Sequence, residues 1–285
     1  MTWLKKIVDF FLFSNLFVAY CVVALCMSTE FLLGHYSYTI NLFVFFATLF
    51  TYNFQRLVRM DVPGELSHRQ EWLQANKRWL WLITIVSVIA TVYFSMSLSY
   101  DSLVLLIPLG AIVLMYPLPL FYWQKKWWRL REIPGVKIFL IALVWTLVSV
   151  GLLLTEHQIT LTTDVCLLFI HRLCFVFTIT IPFDIRDLKY DSLKLKTIPL
   201  ILGEEKARYF ALGALAFYEL LVLLQFFLGG MIELNALISL LCLSAVTAFL
   251  LLQSTSEKGE YHFAFWVEGA SVIMYLFLMT GLFFF

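Results

Sequence analysis

The stretch TDVCLLFIHRLCFVFTITIPFDIRDLKYD, residues 163–191, joins a long apolar run to three aspartates, Asp184, Asp187 and Asp191. An apolar run of roughly 20 residues is what an α-helix needs to cross a lipid bilayer. Backbone polar groups in lipid must be satisfied within the segment, so the run predicts a helix rather than an open sheet. The aspartates then lie where this helix leaves the membrane.

Similar apolar runs recur along the whole chain. They lie near residues 10–33, 38–58, 79–98, 102–122, 136–155, 163–183, 208–229, 231–252 and 262–284. The chain is 62% hydrophobic and 14% charged, whereas a soluble domain carries about 25% charged residues. The sequence therefore predicts an all-α membrane protein, a bundle of about nine transmembrane helices in a single domain, residues 1–285.

The basic residues predict how the chain crosses the membrane. Of the 20 Lys and Arg, all but Arg172 fall before the first span or after an even-numbered span, and the opposite loops carry none. Basic residues concentrate in cytoplasmic loops. We therefore expect a multi-pass protein of an inner or plasma membrane, with its N-terminus and aspartate-rich ends in the cytoplasm. The alternative is that these basic residues serve membrane topology alone. No nucleic-acid partner is expected.

Three carboxylates follow the sixth span, and a mixed polar stretch follows the second. Asp184, Asp187 and Asp191 share one face of a continued helix. Asn53, Leu57 and Asp61, spaced by four residues, form one stripe of a second continued helix. Like charges on one face repel unless cations bridge them, and Mg²⁺ binds carboxylate and phosphate oxygens. The alternative is a solvated helix end whose aspartates are screened by Arg186 and Lys189.

These residues resemble the motifs of the UbiA superfamily of intramembrane prenyltransferases, which have nine spanning helices. Asp184-x-x-Asp187-x-x-x-Asp191 is similar to the family's second motif, DxxDxxxD, and Thr197–Gly203 resembles the TLPxxLG segment that follows it. Tyr116-Pro117, followed by Lys125-Lys126, resembles the family's loop after the fourth helix. The resemblance covers nearly the whole chain.

The first motif departs from the family pattern NxxxDxxxD. Asn53 and Asp61 stand at its outer positions, but Leu57 replaces the central aspartate. One expected metal ligand is therefore missing, with Gln55 or Arg56 as possible compensation. Lys194-Leu195-Lys196 also stands where the family carries a glycine before the TLP segment.

The resemblance implies a Mg²⁺-dependent enzyme that transfers a prenyl group from a polyprenyl diphosphate to an aromatic or other lipid-soluble acceptor. It implies Asp187 and Asp191 as catalytic residues. The implied metal ligands are Asp61, Asp184, Asp187 and Asp191. The implied substrate contacts are Asn53, Arg56, Tyr116, Lys125, Lys126 and Lys189.

Two other functions fit the sequence. A protein of this fold with altered catalysis would bind an isoprenoid or lipid phosphate without transferring it, and Leu57 is the main support for that reading. A small transporter is the third candidate, because Arg172 falls inside a span, where ionisable residues usually face a cavity or a partner. Alternatively, Arg172 snorkels towards the outer membrane surface.

Overall fold

The computed structural model describes residues 3–58, 60, 68–123, 126–133, 135–189 and 195–284. These residues form two compact units. The first contains residues 1–23 and 37–131, and the second contains residues 24–36 and 132–285. One helix, α2 (Leu16–Leu33), contributes its first part to the first unit and the rest to the second.

The first unit is built on helices and one hairpin. Its remaining elements are α1 (Trp3–Phe13), α3 (Tyr38–Val58), α4 (His68–Ala75), α5 (Lys77–Ser95), α6 (Tyr100–Met115), β1 (Pro119–Trp123) and β2 (Lys126–Arg129). Helix α3 packs along α5 and touches α6, while α4 contacts α1 and α5. The opposite side of α5 is apolar and exposed, with Ile89 65% accessible, as expected of a helix that faces lipid.

The second unit is a bundle centred on one long helix. After α2 it comprises α7 (Val136–Thr146), α8 (Leu152–Glu156), α9 (Thr163–Arg186), α10 (Ile198–Leu202), α11 (Glu204–Phe227), α12 (Leu234–Gln253) and α13 (Glu268–Phe284). A π-helical turn, Leu147–Gly151, joins α7 to α8, and another, His262–Val267, leads into α13. Helix α9 packs against α7 and α11, and α12 packs against α11 and α13.

Each of the nine predicted apolar segments contains helix, so the predicted all-α membrane fold is confirmed. Within the described part of the chain, seven helices are long and apolar enough to cross a bilayer. They are Leu16–Leu33, Lys77–Ser95, Val136–Glu156, Thr163–Lys189, Glu204–Phe227, Leu234–Gln253 and His262–Gly281. Tyr100–Met115 is apolar but shorter, and α3 carries polar residues in its last turns.

The first predicted span is wrong in its first turns, because the chain breaks between α1 and α2. Asn15 adopts a left-handed backbone conformation with φ of 66°, which an α-helix does not accommodate. Asparagine tolerates this conformation better than most residues. Ser14 and Asn15 are both fully buried, so the break is a packed feature rather than a frayed end.

The fourth span is shorter than predicted and is followed by a hairpin that the sequence did not predict. Helix α6 ends at Met115, and Pro117 and Pro119 prevent its continuation because proline lacks a backbone N–H and restricts the residue before it. The chain then forms an antiparallel pair in which Tyr122 lies opposite Trp127. The prediction of a helix through residue 122 is therefore wrong.

A close approach joins the start of α9 to the turn between α11 and α12. The Asp164 carboxylate accepts hydrogen bonds from the side-chain amide of Gln225 and, at 2.7 Å, from the backbone N–H of Met231. A Cβ atom at Gly230 would collide with this carboxylate. The turn at Gly229-Gly230 thus requires glycine for space as well as for the positive φ of Gly229.

Candidate functional site

The carboxylates at the end of α9 converge on a cation supplied by the chain itself. Asp184, in the last turn of α9, is completely buried, and Asp187 follows directly after the helix. The ammonium group of Lys137 lies 2.6 Å from Asp184 Oδ1 and 3.5 Å from Asp187 Oδ2. Two of the three predicted motif carboxylates therefore share one positive charge.

A second cation binds Asp187 from the other side. Arg186 Nε donates to Asp187 Oδ1 at 2.8 Å, and Arg186 Nη1 lies 3.4 Å from Glu260 Oε2. The guanidinium also lies over the rings of Phe183 and Phe263, at 5.2 and 5.9 Å from their centroids. Arg186 is thus fixed by ion pairs and by ring faces, which attract cations. This arrangement orients the Asp187 carboxylate.

Helix dipoles make this location strongly attractive to cations. Asp184 and Asp187 lie at the C-terminal end of the 24-residue helix α9, where the backbone already carries partial negative charge. Aspartates there are unfavourable unless a positive charge compensates them. The described residues supply two such charges, Lys137 and Arg186.

The donor chemistry fits a hard divalent cation. Asp184 and Asp187 direct carboxylate oxygens towards one cation position, now taken by the Lys137 ammonium group. Mg²⁺ is typically held by one or two carboxylates together with water and phosphate oxygens. Among the residues whose placement is described, no cluster of three or more His, Cys, Asp or Glu forms a ready-made metal site. Asp61 and Asp191, the other predicted ligands, lie outside the described residues.

The predicted first motif is only partly helical. Helix α3 ends at Val58 and Met60 lies in a turn, so the prediction of one continuous helix from Asn53 to Asp61 is wrong. Leu57, at the position of the missing aspartate, is 9% exposed and packs with Leu73 and Leu80. This position now belongs to the apolar core of the first unit.

Asn53 lies in a buried polar network around the break between α1 and α2. Its amide donates to the Ser14 carbonyl at 3.1 Å, and its side-chain oxygen accepts from Asn15 at 2.8 Å. Arg69 in α4 donates to the Asn15 side-chain oxygen at 2.7 Å. Asn53 therefore has a structural role beside the substrate contact predicted for it.

The other predicted substrate contacts are distributed over several elements. Arg56 lies in the last turn of α3. Tyr116 is buried at the end of α6, with the Arg131 guanidinium 6.0 Å from its ring centroid. Lys189 is exposed at the end of the 3₁₀ turn that follows α9. Lys126 begins β2, and Lys125 lies outside the described residues.

Sequence reasoning missed the role of Lys137 and counted it only as a topological charge. One signal was available, because Lys137 lies near the start of the predicted apolar run 136–155 and falls in the first turn of the helix that begins there. A cation at a helix N-terminus is unfavourable by itself. Such a residue therefore indicates a nearby anionic partner, although the sequence does not say which one.

Arg172 does not snorkel, so that alternative is wrong. Its side chain is 1% exposed, and it donates to Thr29 Oγ1 in α2 at 3.1 Å and to Met274 Sδ in α13 at 2.9 Å. Arg172 therefore packs between helices of the second unit.

Solved structures of UbiA homologues match this fold over nearly the whole chain. The apo UbiA homologue from Aeropyrum pernix K1 is 14% identical with a TM-score of 0.68, covering 93% of this chain and 98% of that one. The Archaeoglobus fulgidus UbiA homologue bound to GPP and Mg²⁺ is 16% identical with a TM-score of 0.60, covering 94% and 98%. A structure from work on digeranylgeranylglyceryl phosphate synthase is 14% identical with a TM-score of 0.58, covering 97% and 98%.

This protein is therefore a multi-pass membrane protein with the UbiA fold, and the resemblance seen in its sequence is confirmed at the level of the fold. No family model matches the sequence. No curated protein matches it significantly either.

Proposed function

We propose that this chain is a Mg²⁺-dependent intramembrane prenyltransferase that uses a polyprenyl diphosphate as donor. The observation that carries the proposal is the convergence of Asp184 and Asp187 on one cation position at the end of α9. Structural neighbours at 16% identity bind GPP or DMAPP together with Mg²⁺, which supports the same ligand class here. A prenyl diphosphate combines a tail suited to lipid with a head that binds divalent cations.

Asp184, Asp187 and Asp191 are proposed to bind the metal, with Asp187 and Asp191 most directly involved in catalysis. Bound Mg²⁺ would supply Lewis-acid charge to the diphosphate. The chain's own task is then to orient the carboxylates, which Arg186 does for Asp187, and to keep water away from an allylic cation. In the proposed reaction the C–O bond to diphosphate breaks to give the allylic cation and diphosphate. The lipid-soluble acceptor then forms a bond to the cation and loses a proton to water, and diphosphate is released.

Further predicted ligands come from the resemblance rather than from the described contacts. Asp61 joins the proposed metal ligands. The proposed substrate contacts are Asn53, Arg56, Tyr116, Lys125, Lys126 and Lys189, of which the basic residues bind phosphate oxygens through charge-assisted hydrogen bonds. We propose that residues 1–285 act as one prenyltransferase domain in an inner or plasma membrane, with these residues on the cytoplasmic side.

One observation favours the second candidate, a protein that binds an isoprenoid or lipid phosphate without transferring it. Leu57 is packed with Leu73 and Leu80, so the central position of the first motif is used for the core. The loss of one carboxylate weakens the hold on a divalent cation and on the diphosphate. Binding would survive this loss more readily than catalysis does.

Release of diphosphate distinguishes these functions. We expect the purified protein in detergent to release diphosphate from geranyl diphosphate or longer prenyl diphosphates when Mg²⁺ and an aromatic lipid acceptor are present. EDTA should stop the release. Metal-dependent binding without any release across the chain lengths would establish the second candidate instead. Uptake into proteoliposomes without bond cleavage would indicate a transporter.

A further inference from the structure

Lys137 occupies an electrostatically unusual position at the start of α7. The residue before the helix, Gly135, has a left-handed φ of 73°, and Lys137 is the second residue of the helix. The N-terminal end of a helix carries partial positive charge, which disfavours a lysine there by roughly 0.3–1 kcal/mol. Asp184 and Asp187 are disfavoured in the same way at the C-terminal end of α9. The two helix ends stabilise each other through this ion pair.

The ion pair is largely shielded from water. The side chain of Lys137 is 12% exposed, that of Asp184 is fully buried, and that of Asp187 is 22% exposed. Charges in such surroundings interact more strongly than on an open surface. Removal of Lys137 or Asp184 would take away the opposite charge that lies 2.6 Å from the other group, which is costly in a buried site.

The ammonium group and a divalent cation compete for the same oxygen atoms. Lys137 Nζ lies within 3.5 Å of both Asp184 Oδ1 and Asp187 Oδ2. A metal ion bound by these two carboxylates would need the same space. Lysine has a flexible four-carbon stem and three donors, so it can leave the carboxylates and bind another anion nearby.

We propose that Lys137 is a built-in counter-ion that exchanges partners when substrate binds. In the metal-free protein it neutralises Asp184 and Asp187. When a divalent cation binds these carboxylates, Lys137 moves to a diphosphate oxygen and becomes a substrate-binding residue. The diphosphate part of this inference rests on the proposed function, whereas the competition with metal does not.

If Lys137 exchanges partners in this way, its removal should change the affinities for a divalent cation and for diphosphate in opposite directions. Lys137→Gln removes the competing cation, so Mn²⁺, used as a probe for Mg²⁺, should bind about tenfold more tightly. The same variant should bind inorganic diphosphate about tenfold more weakly at saturating Mn²⁺, because a charge-assisted hydrogen bond worth about 1.5 kcal/mol is lost. Lys137→Arg should weaken Mn²⁺ binding several-fold, since guanidinium holds carboxylates in two-point contacts.

The test uses the full-length protein in detergent. Mn²⁺ affinity is measured by electron paramagnetic resonance of free Mn²⁺, and binding of inorganic diphosphate is measured by calorimetry. Lys206→Gln is the matched control, because Lys206 is an exposed residue in the first turn of α11. This control should bind both ligands as the wild-type protein does.

Two results would overturn the proposal. One is unchanged or weaker Mn²⁺ binding in a folded Lys137→Gln protein. The other, which needs no folded Gln variant, is Mn²⁺ binding by Lys137→Arg that equals or exceeds that of the wild type. Tighter Mn²⁺ binding by Lys137→Gln without turnover of any prenyl diphosphate would support the counter-ion role while refuting the transferase. Turnover of a prenyl diphosphate by the wild type, together with unchanged or weaker Mn²⁺ binding by Lys137→Gln, would refute the counter-ion role and leave the transferase in place.

Discussion

Asp187→Asn is expected to reduce Mg²⁺-dependent diphosphate release by at least about 10²-fold, the size of effect seen when one group that stabilises developing charge is removed. Asparagine has nearly the same shape and can still accept a hydrogen bond from Arg186, whose Nε lies 2.8 Å from Asp187 Oδ1. It lacks the negative charge that a divalent cation requires. The loss should therefore appear in the rate of release rather than in the stability of the protein.

The control for this variant is Asp101→Asn, at an exposed aspartate in the first turn of α6. Its rate should equal that of the wild type. Thermal unfolding of both variants should occur close to the wild-type temperature. Full activity of Asp187→Asn, measured by phosphate assay with geranyl diphosphate, would remove Asp187 from the proposed site.

Leu57→Asp is expected to destabilise the protein by about 4 kcal/mol or more and not to improve activity. The family pattern has aspartate at this position, but here the side chain is 9% exposed and packs with Leu73 and Leu80, next to Met60 and Trp72. The substitution would lose apolar burial and place a charge in an apolar cluster. Thermal unfolding monitored by circular dichroism measures the effect.

Leu57→Met is the matched control, since a swap of similar volume usually costs less than about 1.5 kcal/mol. A folded Leu57→Asp protein with faster release of diphosphate would contradict our reading. It would mean that position 57 faces the metal site and that the first motif can be restored by one carboxylate.

The helical spans could be predicted because their signal is local. A long apolar run has few alternatives in lipid, and α9, α11 and α12 begin and end within a few residues of the predicted limits. The break at Asn15 could not be predicted, because it depends on contacts with Asn53 and Arg69, distant in sequence. The sequence did not predict the hairpin after α6, because the aromatic residues that follow Pro119 also fit the end of a membrane-spanning helix.

The site was predictable in its residue types but not in its pairings. The spacing of Asp184 and Asp187 placed both carboxylates at one helix end, and the structure describes them there. Their partner Lys137 lies 47 residues from Asp184 in the chain, and no periodicity links them. The same limit applies to Leu57. The sequence indicates only that a metal ligand is missing at this position, whereas the structure shows that Leu57 packs in an apolar cluster.

The most direct measurement is the position of Mn²⁺ in crystals grown with a non-hydrolysable prenyl diphosphate analogue, found from its anomalous scattering. Our account predicts a peak at about 2.0–2.3 Å from carboxylate oxygens of Asp184 or Asp187 and from a phosphate oxygen, as expected for a small hard cation. The Lys137 ammonium should then have left Asp184. Metal and diphosphate bound elsewhere, with the ion pair of Lys137 and Asp184 intact, would contradict it.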